Sequence, residues 1–390
     1  MKKLLTLLFA CWLSMAGLFA YEWPSKPNDQ LFRDMITFAT QFASDAAGTP
    51  AEKLIKDFIR KQEEKFQSDP NAWVEDCYRF VDKLEKMYPP CVDDGSQKAL
   101  IRRDILMLVD YPVHVDNISD YATADDKKAF EIGRDNYRAR ARKKAFEWLK
   151  KTKVKPGELA LFKVYNMGFL VRTSKRTFAI DLCWHGDKAE SERLAKELDV
   201  VFVTHPHGDH YTDVMMQAMV DKGKIVFCSD KRIGKTIKDN PLKIVKWEDV
   251  VETPLDIAGI QVQMLGAFQY KDTPCNLYHL TFDGWTIVHS GDGQDKPRTM
   301  RLGELTPPDV LISASWNSLK RYNNAIKACP GADPSKILFI PAHENEFGHR
   351  VQQRESYYEL LHRKDRLGDP DFEYLPVELM DIGEGIILKK

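Results

Sequence analysis

The feature that most constrains this chain is the heptapeptide Thr204-His205-Pro206-His207-Gly208-Asp209-His210, which holds three imidazoles and one carboxylate. It directly follows 199–203, which is apolar from Val200 onward, a pattern typical of a short buried strand. Pro206 and Gly208 interrupt any regular helix or strand, so the four ligand-type side chains are predicted to lie in a loop at a strand end. A rigid strand behind such a loop can support several donors that turn toward one point.

Metal binding is the function that this loop predicts. The chain has only 10 histidines in 390 residues, so a polar loop with three of them by coincidence is the weaker interpretation. His205 and His207, one residue apart, can bind one ion, while Asp209 and His210 point elsewhere and can serve a second.

The first 20 residues are predicted to be a secretory signal peptide. Met1-Lys2-Lys3 is basic, 4–19 is almost wholly apolar, and cleavage is expected after Ala20. Acylation of Cys11 as a lipoprotein, or an uncleaved anchor, are the alternatives. The expected location is the bacterial periplasm, and no transmembrane span is expected after cleavage.

Composition is that of an ordinary globular protein, with 43% hydrophobic and 29% charged residues. The formal net charge of −1 gives no global field that favours nucleic acid or an anionic membrane. The cysteines form no CxxC pair, and a bridge between Cys77 and Cys91 is left open. Buried free thiols are expected for Cys183 and Cys228, which lie in apolar strands. The length favours two domains after the signal peptide.

Residues 21–153 are predicted to form an all-α helical domain, because apolar residues recur there at spacings of three and four. Five helices are expected, the fourth ending before Tyr111-Pro112 and the fifth covering 130–149. The basic run 138–144 is expected to be a solvated helix face, with a patch for an acidic partner as the alternative. The domain's protein partner, if it has one, is not predicted.

Residues 157–390 are predicted to form a second, α+β domain after a linker near Pro156-Gly157. Short β-type runs begin it, and later strands alternate with helical stretches, among them 188–198, 215–220 and 352–363. This alternation indicates sheets covered by helices.

The order of these segments and the motif His-x-His-x-Asp-His resemble the metallo-β-lactamase fold superfamily. The resemblance covers about 157–390 and implies an αββα sandwich with metals at one edge, preceded here by the helical domain. It implies that Asp181, at the end of 178–181, supports the metal loop. It also implies that Asp292, in Ser290-Gly291-Asp292, bridges two ions.

The same resemblance assigns His205 and His207 to the first metal, and Asp209, His210 and His343 to the second. One position departs from the pattern, because Gln269 stands where the family usually has another histidine. Gln is a weaker donor than imidazole, so the first ion is expected to be loosely held, lost or not zinc. Cys275, in the nearby loop, is an alternative soft donor, and His279 is assigned to the core or surface.

Further residues are candidates for contact with substrate or for orienting a ligand: His185, His289, Trp316, Asn317, His349 and Arg350.

The implied function is an exported hydrolase that uses a metal-activated water, with one or two Zn²⁺ or other divalent ions. Asp209 is the expected catalytic residue, both ligand and proton relay. The expected substrate is a small ester, lactone or phosphodiester, since dedicated β-lactamases generally have a histidine at the place of Gln269. Nucleic acid is not expected as a substrate. The alternative is a non-catalytic or single-metal binding module of the cell envelope with a degenerate site.

Overall fold

The structure is a computed structural model that describes residues 28–66, 70–115, 126–228, 233, 243–244, 253–269, 273–315, 319–346 and 355–390. The predicted signal peptide and Cys11 lie outside the described residues, as do Trp316, Asn317, His349 and Arg350. No helix in the described part of the chain has the length and apolar character needed to cross a membrane.

Five helices come first, as the spacing of apolar residues predicts. They are α1 (Asn28–Asp45), α2 (Pro50–Phe66), α3 (Pro70–Met87), α4 (Gln97–Val115) and α5 (Asp126–Lys151). Residues of the predicted stripes are buried, for example Met35 and Phe42 on α1 and Trp73 and Val81 on α3. Burial at intervals of three and four packs one face of each helix into a shared core.

The predicted end of the fourth helix is wrong, because α4 continues through Pro112 to Val115. Proline removes one backbone hydrogen bond in a helix interior and is normally costly there. Here Tyr111 and Val113 on either side of it are buried, so tertiary packing outweighs the local preference of proline.

Two sheets follow the helices. Among the described residues, the first sheet has the strand order β13-β1-β2-β3-β4-β5-β6 and the second β12-β11-β10-β9-β8-β7. The strands are β1 (Glu158–Tyr165), β2 (Gly168–Arg172), β3 (Thr177–Ile180), β4 (Val200–Val203), β5 (Ile225–Cys228), β6 (Lys243–Ile244), β7 (Leu255–Ile257), β8 (Ile260–Gln269), β9 (Thr273–Phe282), β10 (Trp285–His289), β11 (Val310–Ala314), β12 (Leu338–Ala342) and β13 (Glu384–Lys389).

The shorter helices of this part are α6 (Lys188–Ala195), α7 (Asp213–Asp221), α8 (Lys296–Met300), α9 (Leu319–Lys327) and α10 (Tyr357–His362). The last helix is shorter than the predicted 352–363: Glu355 and Ser356 are not helical, and Ser356 is the N-cap. The predicted α+β class, with helices followed by two helix-covered sheets, is confirmed.

The hydrophobic core has two parts. One lies between the two sheets and contains Phe178, Phe202 and Tyr278. The other runs continuously from the N-terminal helices to side chains such as Phe162 and Leu170 on the first sheet. Because this second cluster includes both regions, the domain boundary at 153–157 stays a prediction.

The basic run 138–144 is not the solvated face that the sequence predicts. The side chain of Arg140 is only 8% exposed and pairs with Glu85, Asp82 and Asp381 at 2.8, 2.8 and 3.1 Å. These pairs join α5 to α3 and to the C-terminal segment, because the helix face that carries the run turns inward. The described cysteines, Cys77 and Cys91 among them, are free thiols.

Candidate metal centre

The six predicted ligands meet at one edge of the sandwich, where strands of both sheets end. The loop after β4 brings His205, His207, Asp209 and His210, β10 leads to Asp292, and β12 leads to His343. Strand β10 pairs in parallel with β11, and β11 with β12, so their carboxyl ends lie at the same edge. Parallel strand ends on a shared edge are where α/β proteins commonly place their sites.

The ligand-type atoms form two groups that share one residue. Asp209, His210, Asp292 and His343 make the first, which we call the four-residue group, with their ligand atoms all within 4.8 Å of one another. His205, His207 and Asp292 meet the same limit and make the three-residue group. The resemblance implies this division, with Asp292 common to both.

The Nε2 atoms of three histidines surround one oxygen of Asp292. Oδ2 of Asp292 lies 3.3 Å from Nε2 of His210, 3.3 Å from Nε2 of His343 and 3.6 Å from Nε2 of His205. Oδ2 of Asp209 lies 3.2 Å from Nε2 of His210 and 3.4 Å from Nε2 of His343. Neutral donors and carboxylates therefore converge on the same small volume.

Asp181 supports the loop from behind, as expected. Its carboxylate accepts hydrogen bonds from the backbone N–H and hydroxyl of Thr204 at 2.8 and 2.7 Å, and from Nδ1 of His210 at 2.8 Å. A carboxylate only accepts, so Nδ1 of His210 carries the hydrogen and its Nε2 presents a lone pair to the site.

The same logic sets the tautomer of His205. The hydroxyl hydrogen of Thr204 is used on Asp181, so Oγ1 of Thr204 accepts from Nδ1 of His205 at 3.0 Å. The Nε2 lone pair of His205 then also faces Asp292. The buried carboxylate of Asp181 thereby fixes the tautomers in which His205 and His210 can bind a metal through Nε2.

Buried polar atoms here without a hydrogen-bond partner include Nε2 of His205, Nε2 of His210, Oδ1 of Asp292 and Oε1 of Gln269. A buried polar atom without a partner costs free energy, and a bound cation would remove that cost. Imidazole nitrogens with carboxylate oxygens are a donor set that suits a divalent first-row metal. The residues present therefore fit a divalent metal ion.

The pKa shifts of the histidines also indicate a site that attracts a cation. Burial lowers the pKa of His205 to about 3, and His210 contributes to that shift. Burial also opposes a charge on His343, yet Asp292 and Asp209 raise its pKa to about 10. The carboxylates thus create a field that attracts a cation, and a proton and a metal compete for it.

Gln269 ends β8 and turns toward the centre. Its Nε2 donates to Oδ2 of Asp292 at 2.8 Å, and the side chain is buried. The sequence placed Gln269 beyond a strand and Cys275 in a loop, whereas the structure has Gln269 in β8 and Cys275 in β9. Cys275 lies behind the site, with Sγ 3.9 Å from Nδ1 of His205, the ring nitrogen that faces away from Asp292.

Two of the other candidates, His289 and His185, do not belong to the two groups of ligand atoms. His289 accepts at Nδ1 from the backbone N–H of Gly291 and donates from Nε2 to the carbonyl of Met167, so both ring nitrogens are engaged. His185 lies with Nε2 2.9 Å from Sγ of Cys183. His279, assigned from the sequence to the core or the surface, is buried in the core, and its Nε2 lies 2.9 Å from the carbonyl of Thr306.

Sequence reasoning missed Asn166, which holds a predicted ligand. Asn166 occupies the turn between β1 and β2 with φ of 53°, and its Nδ2 donates to Oδ2 of Asp209 at 2.7 Å. The sequence signal is an asparagine in a strand-strand turn, which normally indicates only backbone conformation. Its contact with Asp209, 43 positions away, exists only in the folded chain.

Residues 165–338 match the family model of the β-lactamase superfamily domain. The match includes Asp181, the histidine loop, Gln269 and Asp292, and it ends before His343. A UPF0173 metal-dependent hydrolase of Thermococcus kodakarensis is 26% identical over 205 residues, which is 50% of this chain and 89% of that protein. A second, from Thermofilum pendens, is 26% identical over 179 residues, 45% of this chain and 75% of that protein.

Among solved structures, a metallo hydrolase of Ignicoccus hospitalis aligns with 18% identity over 60% of this chain and 99% of its own, at a TM-score of 0.44. The family assignment depends on the sequence match, the order of the ligands and the two-sheet fold. On these grounds residues 165–338 are a β-lactamase superfamily domain, and a helical region precedes it in the chain.

Proposed function

We propose that this chain is a metal-dependent hydrolase that cleaves a small ester, lactone or phosphodiester. The observation that carries the proposal is the convergence of His205, His207, Asp209, His210, Asp292 and His343 into two overlapping groups of ligand atoms. Two sequence relatives bear the name metal-dependent hydrolase. Zn²⁺ is the proposed ion, because nitrogen-rich sites with carboxylates are its usual environment.

A divalent ion bound here would act as a Lewis acid and would lower the pKa of a water molecule. The chain's own residues prepare that chemistry. Asp181 and Thr204 fix the imidazole tautomers, and Asn166 holds the carboxylate of Asp209.

Asp209 is the proposed proton relay because it lies at the entrance. Its side chain is 14% exposed, whereas His210 and Asp292 are fully buried. Gly208 beside it is exposed and His207 is partly exposed, so substrate is expected to approach over 206–209. A carboxylate at that position can pass a proton to a leaving group, which is the role of a general acid–base residue.

The two groups of ligands are proposed to bind metal unequally. The four-residue group has four protein donors, whereas the three-residue group has two histidines and a share of Asp292. Gln269 adds a hydrogen bond to Asp292 rather than an imidazole. One tight and one weak ion per chain are therefore expected.

The test is a metal titration of the full chain joined to an activity screen. Chelator-treated protein is expected to take up zinc and to hydrolyse at least one member of a panel of lactones, esters and phosphodiesters. His207→Ala is expected to remove the weak ion and to reduce kcat by at least about 100-fold, since a lost ligand disrupts the centre. His362→Ala, at an exposed histidine outside the centre, is the matched control and should change neither.

One observation favours a second candidate, a single-metal module without turnover. Gln269 occupies the usual place of a histidine and engages Asp292 directly. One bound ion with no hydrolysis on any substrate of the panel would select this candidate over the enzyme.

Export is proposed on the basic, then apolar, start of the sequence. Cell fractionation with N-terminal sequencing tests it: the mature chain should begin at Tyr21 in the periplasmic fraction. A chain that retains Met1 in the cytoplasm would contradict export.

A further inference from the structure

The segment that follows β12 carries the last ligand, His343, and then three buried polar side chains, Glu344, Asn345 and Glu346. Each of these three contacts a different partner. Glu344 Oε2 lies 2.6 Å from Nζ of Lys163, Asn345 donates from Nδ2 to Oδ1 of Asp110 at 2.9 Å, and Glu346 Oε1 accepts from the hydroxyl of Tyr165 at 3.4 Å. We call 343–346 the ligand loop.

The backbone of the ligand loop needs such restraint. His343 has φ of 83° and Asn345 has φ of 51°, both in the left-handed region that L residues disfavour. Two positive-φ residues so close together persist only where the surroundings hold them. Without those contacts the backbone is expected to relax, and the His343 imidazole would leave its position against Asp209 and Asp292.

Asp110 on α4 connects the helical region to the ligand loop. It is fully buried, and besides the bond from Asn345 it accepts from the backbone N–H groups of Tyr357 and Tyr358 at 3.0 and 2.9 Å. Those two groups open α10, so one carboxylate caps a helix and holds the loop. The loop also contacts the chain just before α10, because the N–H of Asn345 donates to the carbonyl of Glu355 at 2.8 Å.

Lys163 on β1 holds the loop from the sheet side. Its side chain is buried, and Nζ donates to Oε2 of Glu344 and to the carbonyl of Met380 at 3.0 Å. Glu344 directly follows His343, so this ion pair sets the direction in which the chain leaves the ligand. A buried pair of this kind costs much to break, since it leaves one charge without compensation.

We propose that Asp110 and Lys163 are positioning residues for His343, so that α4 of the helical region and β1 of the first sheet together hold the last ligand in the four-residue group. The inference rests on the proposed metal centre and adds to it a function for the N-terminal helices. Asp110 acts through Asn345 and Lys163 acts through Glu344, and neither side chain belongs to the groups that could hold the ion.

The first measurement is metal affinity of the full chain by competition with a chromophoric chelator. Asp110→Ala and Lys163→Met are each expected to weaken the tight site about 10- to 100-fold, the usual effect of losing a residue that orients a ligand. In protein loaded with Co²⁺, both variants should change the visible absorption bands toward those of His343→Ala. Ile55→Ala, in the buried core of α2, is the control: its melting temperature should fall while its metal affinity stays that of the wild type.

The decisive measurement repeats the two substitutions in a His343→Ala background. If Asp110 and Lys163 act through His343, their effect on metal affinity is absent there, because residues in one network are not additive. A loss that persists in this background, or wild-type affinity and spectra in both single variants, would overturn the positioning role and leave the metal centre standing. Should Asp110→Ala not fold, Lys163→Met, which nearly conserves side-chain volume, carries the test. A wild-type chain that binds neither Zn²⁺ nor Co²⁺ would overturn the proposed function itself.

Discussion

At the scale of single residues, Gln269 is the residue expected to have the largest effect on metal binding by the three-residue group. Its Nε2 donates to Oδ2 of Asp292, the oxygen that three imidazole Nε2 atoms also face. A histidine there would offer the three-residue group a third imidazole, whereas the amide offers at best a neutral oxygen. The residue is buried, so it belongs to the interior of the centre and not to its entrance.

Gln269→His is expected to convert the weak ion into a second tight one. Added imidazole coordination should raise zinc affinity of the three-residue group by at least about tenfold, which is the scale of ligand and near-ligand effects. Isothermal titration would then resolve two tight ions per chain. Gln261→His, at an exposed position on the same strand, is the control and should leave the titration unchanged. Two tight ions already present in the wild type would contradict the prediction.

The position of the loop 204–210 at a strand end could be predicted from the sequence alone, whereas the contacts that support this loop could not. A buried strand followed by proline, glycine and several donors predicts a metal-binding loop at 204–210, because each of those signals is local. Asn166, Thr204 and Lys163 carry no such signal. Their roles depend on contacts with Asp209, Asp181 and Glu344, which only the packing of distant segments creates.

At the scale of secondary-structure elements, α10 shows how a short helix is stabilised at its start. The N–H groups of Tyr357 and Tyr358 donate to Asp110, and the N–H of Glu359 donates to Oγ of Ser356 at 3.1 Å. Ser356 and Glu359 together form a capping box. The first three amides of the helix are thus satisfied, which a helix of 6 residues needs because it has few internal hydrogen bonds.

Ser356→Ala is expected to lower the free energy of unfolding by about 1 kcal/mol, the usual cost of losing an N-cap side chain. Urea denaturation followed by circular dichroism measures the change. Ser335→Ala is a comparison at an exposed serine that lies inside a 3-10 turn and not at an N-cap, so it should cost less. Equal stability of Ser356→Ala and wild type would show that Asp110 alone suffices as the cap.

At the scale of the whole molecule, the segment 375–382 joins the helical region to the sandwich. Val92 pairs with Glu378 in an isolated antiparallel bridge, and Phe339 of β12 pairs with Val377 in a parallel one. Asp381 in the same segment pairs with Arg140 of α5 and accepts a hydrogen bond from Tyr137 at 2.6 Å. The edge strand that leads to His343 is therefore covered by a segment that the helices also contact.

Glu378 makes the stability of this junction depend on pH. Burial raises its pKa to about 7, while Arg102 and Lys98 oppose the shift. The folded state then binds a proton that the unfolded state, with the ordinary pKa of 4.5, has already lost. The contribution to stability is complete below about pH 4.5, declines as the pH rises, and is lost above about 7.

Glu378→Gln is accordingly expected to stabilise the protein relative to the wild type at pH 8 by up to about 2.5 kcal/mol more than at pH 5. Urea unfolding of both proteins at the two pH values tests this. Because the wild type and the variant have the same metal centre, its titration affects both free energies of unfolding equally and drops out when they are subtracted. Glu197→Gln, at an exposed glutamate, is the control and should show no such change between pH 5 and pH 8. A difference that is equal at both pH values would contradict a raised pKa for Glu378.

Local patterns alone predict the five leading helices, sheets covered by helices after residue 157, and the metal-binding loop 204–210. They do so because amphipathic spacing, apolar runs and loop-forming residues act over a few neighbouring positions. The two-sheet sandwich and the roles of Asp292 and His343 are implied by the family resemblance. Local patterns mislead where packing outweighs them. Helix α4 passes through Pro112, and Arg140 of the basic run is buried against three carboxylates.

The tertiary structure alone decides how the ligands are held. Whether His205 and His210 present lone pairs to the centre depends on Asp181, and the strained backbone at His343 depends on partners from α4 and β1. These partners are far away in the chain, and each contact requires that both segments are already packed. A sequence pattern predicts which side chains can bind a metal, but long-range contacts determine whether their atoms converge on one.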